Sequence, residues 1–447
     1  MTITLKRLVL LIFLLLAAFL LSCSPGHIGN NEISFVRDGQ LWTIDPDGAN
    51  AFEVTSNDTQ VIGYAWSPDH HILAFRILDS NFSKTAQGQH ISSNPVTGLT
   101  KDLPSVLNTI GIDGGTPIPI ALSSAGIQHS NAWWNPSGNR LLYREEATSA
   151  IQNAGTQSWW ISQNDQPLDI ARNLLPYTFS IPSLSTNNMA IGNSRQGVFS
   201  TSLAGIQFQF IVQGQLPGHP LPASLERILW QPAHLQPAIL YAIATDSSSH
   251  QSSNNAALPV HLILRDSHEQ NRTIATCSCT QFAWSPDGNF VLYSTGTLYT
   301  ILNTKDLSSF TISGEFESVP YWSPDSRFII LDGQHTLQLV SVANQLKQPL
   351  LTGNAPGSDP GFLPVPSAEA LLQPISNSIW ASDSQQFLFL TRNRLSWQGK
   401  NLNPGNGLYT VSIDDNGTAQ GSPAIVDSGN DSQAGWTYED PNTSFLF

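Results

Sequence analysis

The 447 residues carry 19 Lys and Arg against 33 Asp and Glu, a formal net charge of −14. Such an acidic chain argues against nucleic acid as a partner, and against attachment to anionic lipid by charge. The length alone would hold two or three domains, and the 32 Gly and 29 Pro suit a turn-rich β protein.

The N-terminus reads first. Lys6-Arg7 precede an unbroken apolar run from Leu8 to Leu21, then Ser22-Cys23-Ser24-Pro25-Gly26. The run is shorter than the ~20 residues a membrane-spanning helix needs. A basic start, an apolar centre and a small residue before the cut make an export signal. Leu20-Leu21-Ser22-Cys23 resembles a bacterial lipobox. That resemblance implies cleavage before Cys23 and acylation of its sulfur, and two or more acyl chains hold a protein to a bilayer stably. The division expected is a signal peptide at 1–22, a tether at 23–31 and one repeat domain at 32–447. Loss of Lys6 and Arg7 takes the charge from −14 to −16, so anchoring must come from the lipid.

Beyond the tether the chain opens on two short apolar runs, Ile33-Ser-Phe-Val36 and Gln40-Leu-Trp42. A tryptophan followed by a tight turn then keeps returning: Trp66-Ser-Pro-Asp69, Trp134-Asn-Pro-Ser-Gly138, Trp230-Gln-Pro232, Trp284-Ser-Pro-Asp-Gly288, Trp322-Ser-Pro-Asp-Ser326 and Trp380-Ala-Ser-Asp-Ser384. A fainter copy starts at Trp436, and a copy without tryptophan near Pro182. Pro presets φ, and Asp and Gly tolerate the corner of a turn. The apolar run after each turn, such as Ile72-Leu-Ala-Phe75 or Phe328-Ile-Ile-Leu331, is then the returning strand of a hairpin. Third strands follow at Gln40–Asp45, Leu298–Ile301, Thr336–Val340 and Leu408–Ile413, and fourth strands at Ala51–Thr55, Ser309–Ile312 and Gln348–Leu351. Four antiparallel strands repeated radially make an all-β propeller. The tryptophans are expected to pack between neighbouring blades. Eight turn-bearing units favour eight blades. The N-terminal strands and the Trp436 strand would share one composite blade, which removes free sheet edges. Phe445-Leu-Phe447 and Ile33–Val36 compete for the same slot in it, so seven blades stays open.

The Trp-Ser-Pro-Asp-Gly turn with its flanking strands resembles the TolB-type propeller repeat, closely at Trp66, Trp284 and Trp322 and in part at Trp134, Trp230 and Trp380. This resemblance spans nearly the whole mature chain. It implies the propeller fold and, through TolB itself, a place in a cell-envelope complex.

Motifs for chemistry are sparse. There is no Gly-x-Ser-x-Gly elbow, and no cofactor or metal is expected. His70-His71 and the turns Asp45-Pro-Asp-Gly48 and Asp414-Asp-Asn-Gly417 read as solvated turn residues and Glu145-Glu146 as solvated, although the two Asp turns have carboxylates that calcium would accept. Cys277 and Cys279 would need a turn between them to form a disulfide, since alternate residues of a strand usually stand too far apart.

Three functions fit. One is an anchored binding protein for a protein or glycan. Another is an accessory subunit of an envelope complex. The third is a hydrolase or lyase with its site in the channel. Long insertions expected at Ser80–Leu107, Glu145–Gln157, Asp246–Leu258, Arg392–Gly407 and Gly353–Pro374 all fall on one face. Loops of this length in a compact fold are usually functional or disordered. Trp397, Arg394 and Phe362 in them are the candidate partner-binding anchors.

Overall fold

The computed structural model describes residues 32–437, apart from 79–104, 123–126, 148–156, 162–171, 174–182, 185–188, 203–207, 214–228, 233–237, 245–259, 353–371, 374–377, 392–395, 402–406 and some shorter stretches. Every described element is a β-strand, and the strands form eight sheets. Sheet six gives the plan. Gln281–Trp284, Phe290–Thr295, Leu298–Asn303 and Ser309–Ser313 lie side by side in chain order, each antiparallel to the last. Sheets two, four and five repeat it. Sheet two runs Val61–Trp66, Ile72–Leu78, Ser105–Gly111, Gly114–Ala121. Sheet four, the unit without tryptophan, runs Ser183–Leu184, Met189–Ser194, Gly197–Ser202, Phe208–Gln213. In sheet three the first place is shared by Ile127–His129 and Trp133–Trp134, both paired to Leu141–Ala147.

The repeat turn explains the hairpin. Gly288 N donates to Ser285 O at 2.9 Å, closing the turn, and Gly288 has φ 68°. Ser285 Oγ donates to Asp287 Oδ1 at 2.6 Å and accepts Phe290 N at 2.9 Å, so one hydroxyl ties the turn to the returning strand. Ser67 and Ser323 make the same bonds. Where the repeat wants Gly, this chain puts His70 (φ 59°), Ser326 (φ 63°) and Ser384 (φ 60°). Left-handed backbone is unfavourable for these residues, and what offsets it lies in the neighbouring sheet. Ser326 Oγ accepts Asp287 N at 3.0 Å, and Ser384 Oγ accepts Asp325 N at 3.1 Å. His70 Nδ1 lies 2.6 Å from Thr437 O. Each side chain bonds the turn of the preceding sheet. Ser326→Ala should cost about 1 kcal/mol. Ser326→Gly should cost less, because glycine accepts the backbone without strain. Urea melts of the two variants test this, and equal losses would remove backbone strain from the account.

The tryptophans do pack between sheets. Trp66, Trp284, Trp322, Trp380 and Trp436 are buried, and Trp134 is half-buried. Trp230 closes the first strand of sheet five, Leu229–Trp230, and its side chain lies outside the described residues. Trp134 Nε1 donates to Ala65 O, Trp284 to Leu229 O and Trp380 to Tyr321 O, at 3.0–3.4 Å. In each case the acceptor is the residue just before the tryptophan of an adjacent sheet. Trp66 does this through a relay: its Nε1 donates to Ser34 Oγ at 2.9 Å, and Ser34 Oγ lies 3.3 Å from Gly435 O, the residue before Trp436. The rings also stack backwards. Phe290 meets Trp322 at 6.2 Å and Phe328 meets Trp380 at 6.3 Å, both at 24°.

The chain's two ends share sheet one. Asp431–Trp436 takes the first place, followed by Ile33–Arg37, Gln40–Ile44 and Phe52–Glu53. Ile33 lies opposite Trp436. The slot contested in sequence thus belongs to the Ile33 strand, and Phe445–Phe447 lies outside the described residues. Sheet seven has six strands: Val319–Trp322, Phe328–Asp332, Thr336–Ser341, Leu346–Thr352, then Ser396–Trp397 and Lys400–Asn401. The last two come from an insertion of sheet eight, whose own strands are Leu372–Gln373, Gln386–Thr391, Gly407–Ile413 and Ala419–Asp427.

Candidate functional site

Turns from first to second strand and from third to fourth emerge on one face, the turn face. The other connections emerge opposite, on the loop face. There the segments 79–104, 148–156, 245–259 and 392–406 join second strands to third, and 353–371 joins a fourth strand to the next first strand. The expected insertions thus take their face from the strand order, with shorter bounds: Ser105–Gly111 and the end of Leu141–Ala147 are strand.

The insertion at Arg392–Gly407 differs from the expectation. Leu351 pairs with Trp397 and Thr352 with Ser396, so part of it adds an edge to sheet seven. Trp397 is 3% exposed. It stacks on Phe389 at 6.1 Å and 4°, and its Nε1 donates to Gly421 O at 3.3 Å. Phe389 stacks in turn on Tyr409 at 5.4 Å. Trp397 is therefore a core residue and not an exposed anchor: an indole that can cover Phe389 gains more from burial than from solvent. Arg394 and Phe362 lie outside the described residues.

The loop-face end of the sheets also holds buried polar groups that no sequence pattern marked. His129 Nδ1 lies 2.7 Å from Ser105 O and its Nε2 3.2 Å from Glu145 Oε1, while Arg76 donates to His129 O. Glu145, expected to be solvated, is half-buried and bonds His129 within the scaffold. In sheet seven, Glu315 Oε2 accepts His335 N and Thr336 N, and Glu315 Oε1 meets His335 Nδ1 at 2.5 Å. Burial, with the charge of Glu315 added, pushes the Asp332 carboxyl well above the usual range. Burial and Asp332 likewise raise the Tyr321 phenol. Where the two ends of the chain meet, Arg37 Nε donates to Asp431 Oδ1 at 2.9 Å and Arg37 pairs with Asp427. The guanidinium lies 4.9 Å from the centre of the Phe35 ring and 5.6 Å from that of Trp42. Burial pushes Asp431 up to about 7; Asp427 adds to that shift and the Arg37 bond opposes it. Cys277, ending the Asn271–Cys277 strand of sheet five, is disulfide-bonded to Cys279 in the link to sheet six, with Cα atoms 5.1 Å apart.

These groups are mostly engaged with one another. His129 has a partner at each ring nitrogen. The Asp45 and Asp414 carboxylates hold their own turns, as turn residues are expected to: Asp414 Oδ1 accepts Asn416 N and Thr418 N, and Asp45 Oδ2 accepts Asn50 Nδ2. Among the described residues, no three His, Cys, Asp or Glu side chains group as metal ligands would.

The fold defines a β-propeller whose longest insertions lie on one face. No protein-family model matches the chain, and no curated protein matches it. A crystal structure of a eukaryotic initiation factor is 11% identical, with 92% of this chain and 99% of that chain covered and a TM-score of 0.48. The C-terminal WD40 domain of Sif2 is 10% identical, with 87% and 94% covered and a TM-score of 0.46. Oligogalacturonate lyase from Vibrio parahaemolyticus is 11% identical, with 87% and 93% covered and a TM-score of 0.41. At these identities and scores the likenesses carry no argument about function.

Proposed function

We propose that this protein is a lipid-anchored binding protein outside the cytoplasm, whose propeller captures a protein or glycan through the loop face. The observation that carries the reading is the asymmetry of the scaffold: the longest connections, 79–104, 214–228, 245–259 and 353–371, all lie on the loop face, while the repeat turns opposite are tight and self-bonded. Binding residues concentrate on loops held by a rigid frame. The Lys6-to-Cys23 segment supports the anchor. The Cys277–Cys279 bond supports an oxidising compartment, where disulfides persist. The TolB-type repeat favours one version of this role, an accessory subunit of an envelope complex.

The anchor is tested by detergent phase separation of the full chain and of Cys23→Ser. The parent should enter the detergent phase and the variant the aqueous phase; identical aqueous behaviour would end the lipidation reading. The loop face is tested by capture from detergent-solubilised membranes. Shortening 79–104 or 353–371 should abolish capture of the partner. If capture survives every shortening on this face and fails on changes to the turns, the binding face is the other one.

A further inference from the structure

We infer that the propeller stands on its membrane with the turn face toward the bilayer and the loop face pointing away. The inference rests on the lipid anchor proposed above and adds the orientation of the site.

The point where the tether joins the scaffold decides it. Thr437 N donates to Glu32 O at 2.8 Å, and Thr437 O meets His70 Nδ1 at 2.6 Å. Ile33 lies opposite Trp436, and the repeat tryptophan is the residue at which each first strand reaches its turn. Residue 32 therefore sits among the turns, and the tether leaves from their face. Cys23 to Asn31 is a short stretch, and at ~3.3–3.6 Å per extended residue it reaches roughly 30 Å at most. To bring the loop face inward, the tether would first have to run the height of a sheet, ~17–20 Å for a typical strand. Little of the reach would remain as clearance for that face. With the turn face inward, the whole reach is available as clearance.

Charge sets the gap rather than the direction. The exposed turns present Asp47, Asp69, Asp113, Asp383 and Asp415 against Lys305 and Arg327. An acidic face does not adhere to an anionic bilayer. The screening length in physiological salt is ~8 Å, well inside the reach of the tether, so the face can hover beyond the repulsion while still tethered. The partner-binding loops then stay open to whatever approaches from the far side.

The test uses the native lipidated protein in vesicles that carry an energy-transfer acceptor on their lipid headgroups. One donor dye goes on Asp415→Cys, which is 84% exposed at its side chain on the turn face. The other goes on Thr297→Cys, exposed in the turn between second and third strands of sheet six on the loop face. Cys277 and Cys279 are paired, so neither takes the dye. Transfer from position 415 should be several-fold higher than from 297. Equal or greater transfer from 297, with the protein still bound to vesicles, overturns the orientation and leaves the anchor standing. If the native protein does not bind vesicles at all, the anchor is refuted and the orientation goes with it. A long Gly/Ser insertion after Gly26 should shrink the difference, and a difference that persists would mean the tether does not set the orientation.

Discussion

Trp380→Ala should destabilise the protein by about 3–5 kcal/mol, the usual range for removing a large buried aromatic. Trp380 is 1% exposed. Its ring packs between Phe328 of sheet seven, at 6.3 Å, and Phe387 of its own sheet, at 5.5 Å. Its Nε1 donates to Tyr321 O at 3.0 Å. Alanine would leave a cavity at the junction of two sheets and would also strip a donor from a buried carbonyl. Trp322 offers the comparison, because its ring is equally buried but its Nε1 has no acceptor among the described residues. Trp380→Phe keeps most of the ring and loses the bond, so it should cost about 1 kcal/mol more than Trp322→Phe. Denaturant melts of the three variants decide the matter. Losses below about 1 kcal/mol for Trp380→Ala would mean that the tryptophans are not what joins the sheets.

Much of this frame was legible in the sequence because its information is local. Trp284-Ser-Pro-Asp-Gly288 encodes a turn, the strand before it and the strand after it within a few residues, and the third and fourth strands fall where their apolar runs stand. Ser183–Leu184 could be placed without a tryptophan because its neighbours set the spacing. Contacts that join distant parts of the chain were not legible. Nothing around Ser34 announces that its hydroxyl lies between Trp66 and Gly435, |i−j| = 401 for the latter. Trp397 misled for a related reason. An indole beside Arg394 in a long insertion reads as an exposed anchor, and only the pairing with Leu351 places it over Phe389. The loop face itself was legible, since strand order alone determines which connections share a face. Which of its residues touch a partner depends on surfaces that no local pattern fixes.

The group that joins the chain ends was equally hidden, and it makes stability depend on pH in an unusual direction. Asp431 is buried in the folded protein with its carboxyl up at about 7, against an ordinary value near 4. The folded state therefore holds a proton that the unfolded chain has released between those values. Stability from this group is complete below about pH 4 and is lost as pH rises to about 7, the opposite of a carboxylate held low by its ion pair. Asp431→Asn should flatten that slope. Arg37→Met sharpens the test. Arg37 is the cation beside Asp431, and Gly429 is the residue that leaves it room: a Cβ there would come within 2.8 Å of the guanidinium. Without Arg37 the carboxyl moves higher still. At pH 5 it stays protonated, so the variant loses the stack over Phe35 and Trp42, one hydrogen bond and the pair with Asp427, losses that recur at pH 8. At pH 8 the fold must either bury an unpaired charge or hold a proton against solution, and removing one partner of a buried pair costs about 3–5 kcal/mol. The loss for Arg37→Met, read from urea midpoints, should thus be clearly larger at pH 8 than at pH 5. Adding Asp431→Asn should restore most of the pH 8 loss, since it removes the charge that Arg37 served. An equal loss at both pH values, unrelieved by Asp431→Asn, would show that Arg37 acts through its packing on the two aromatic rings and that the carboxyl it touches is not under strain.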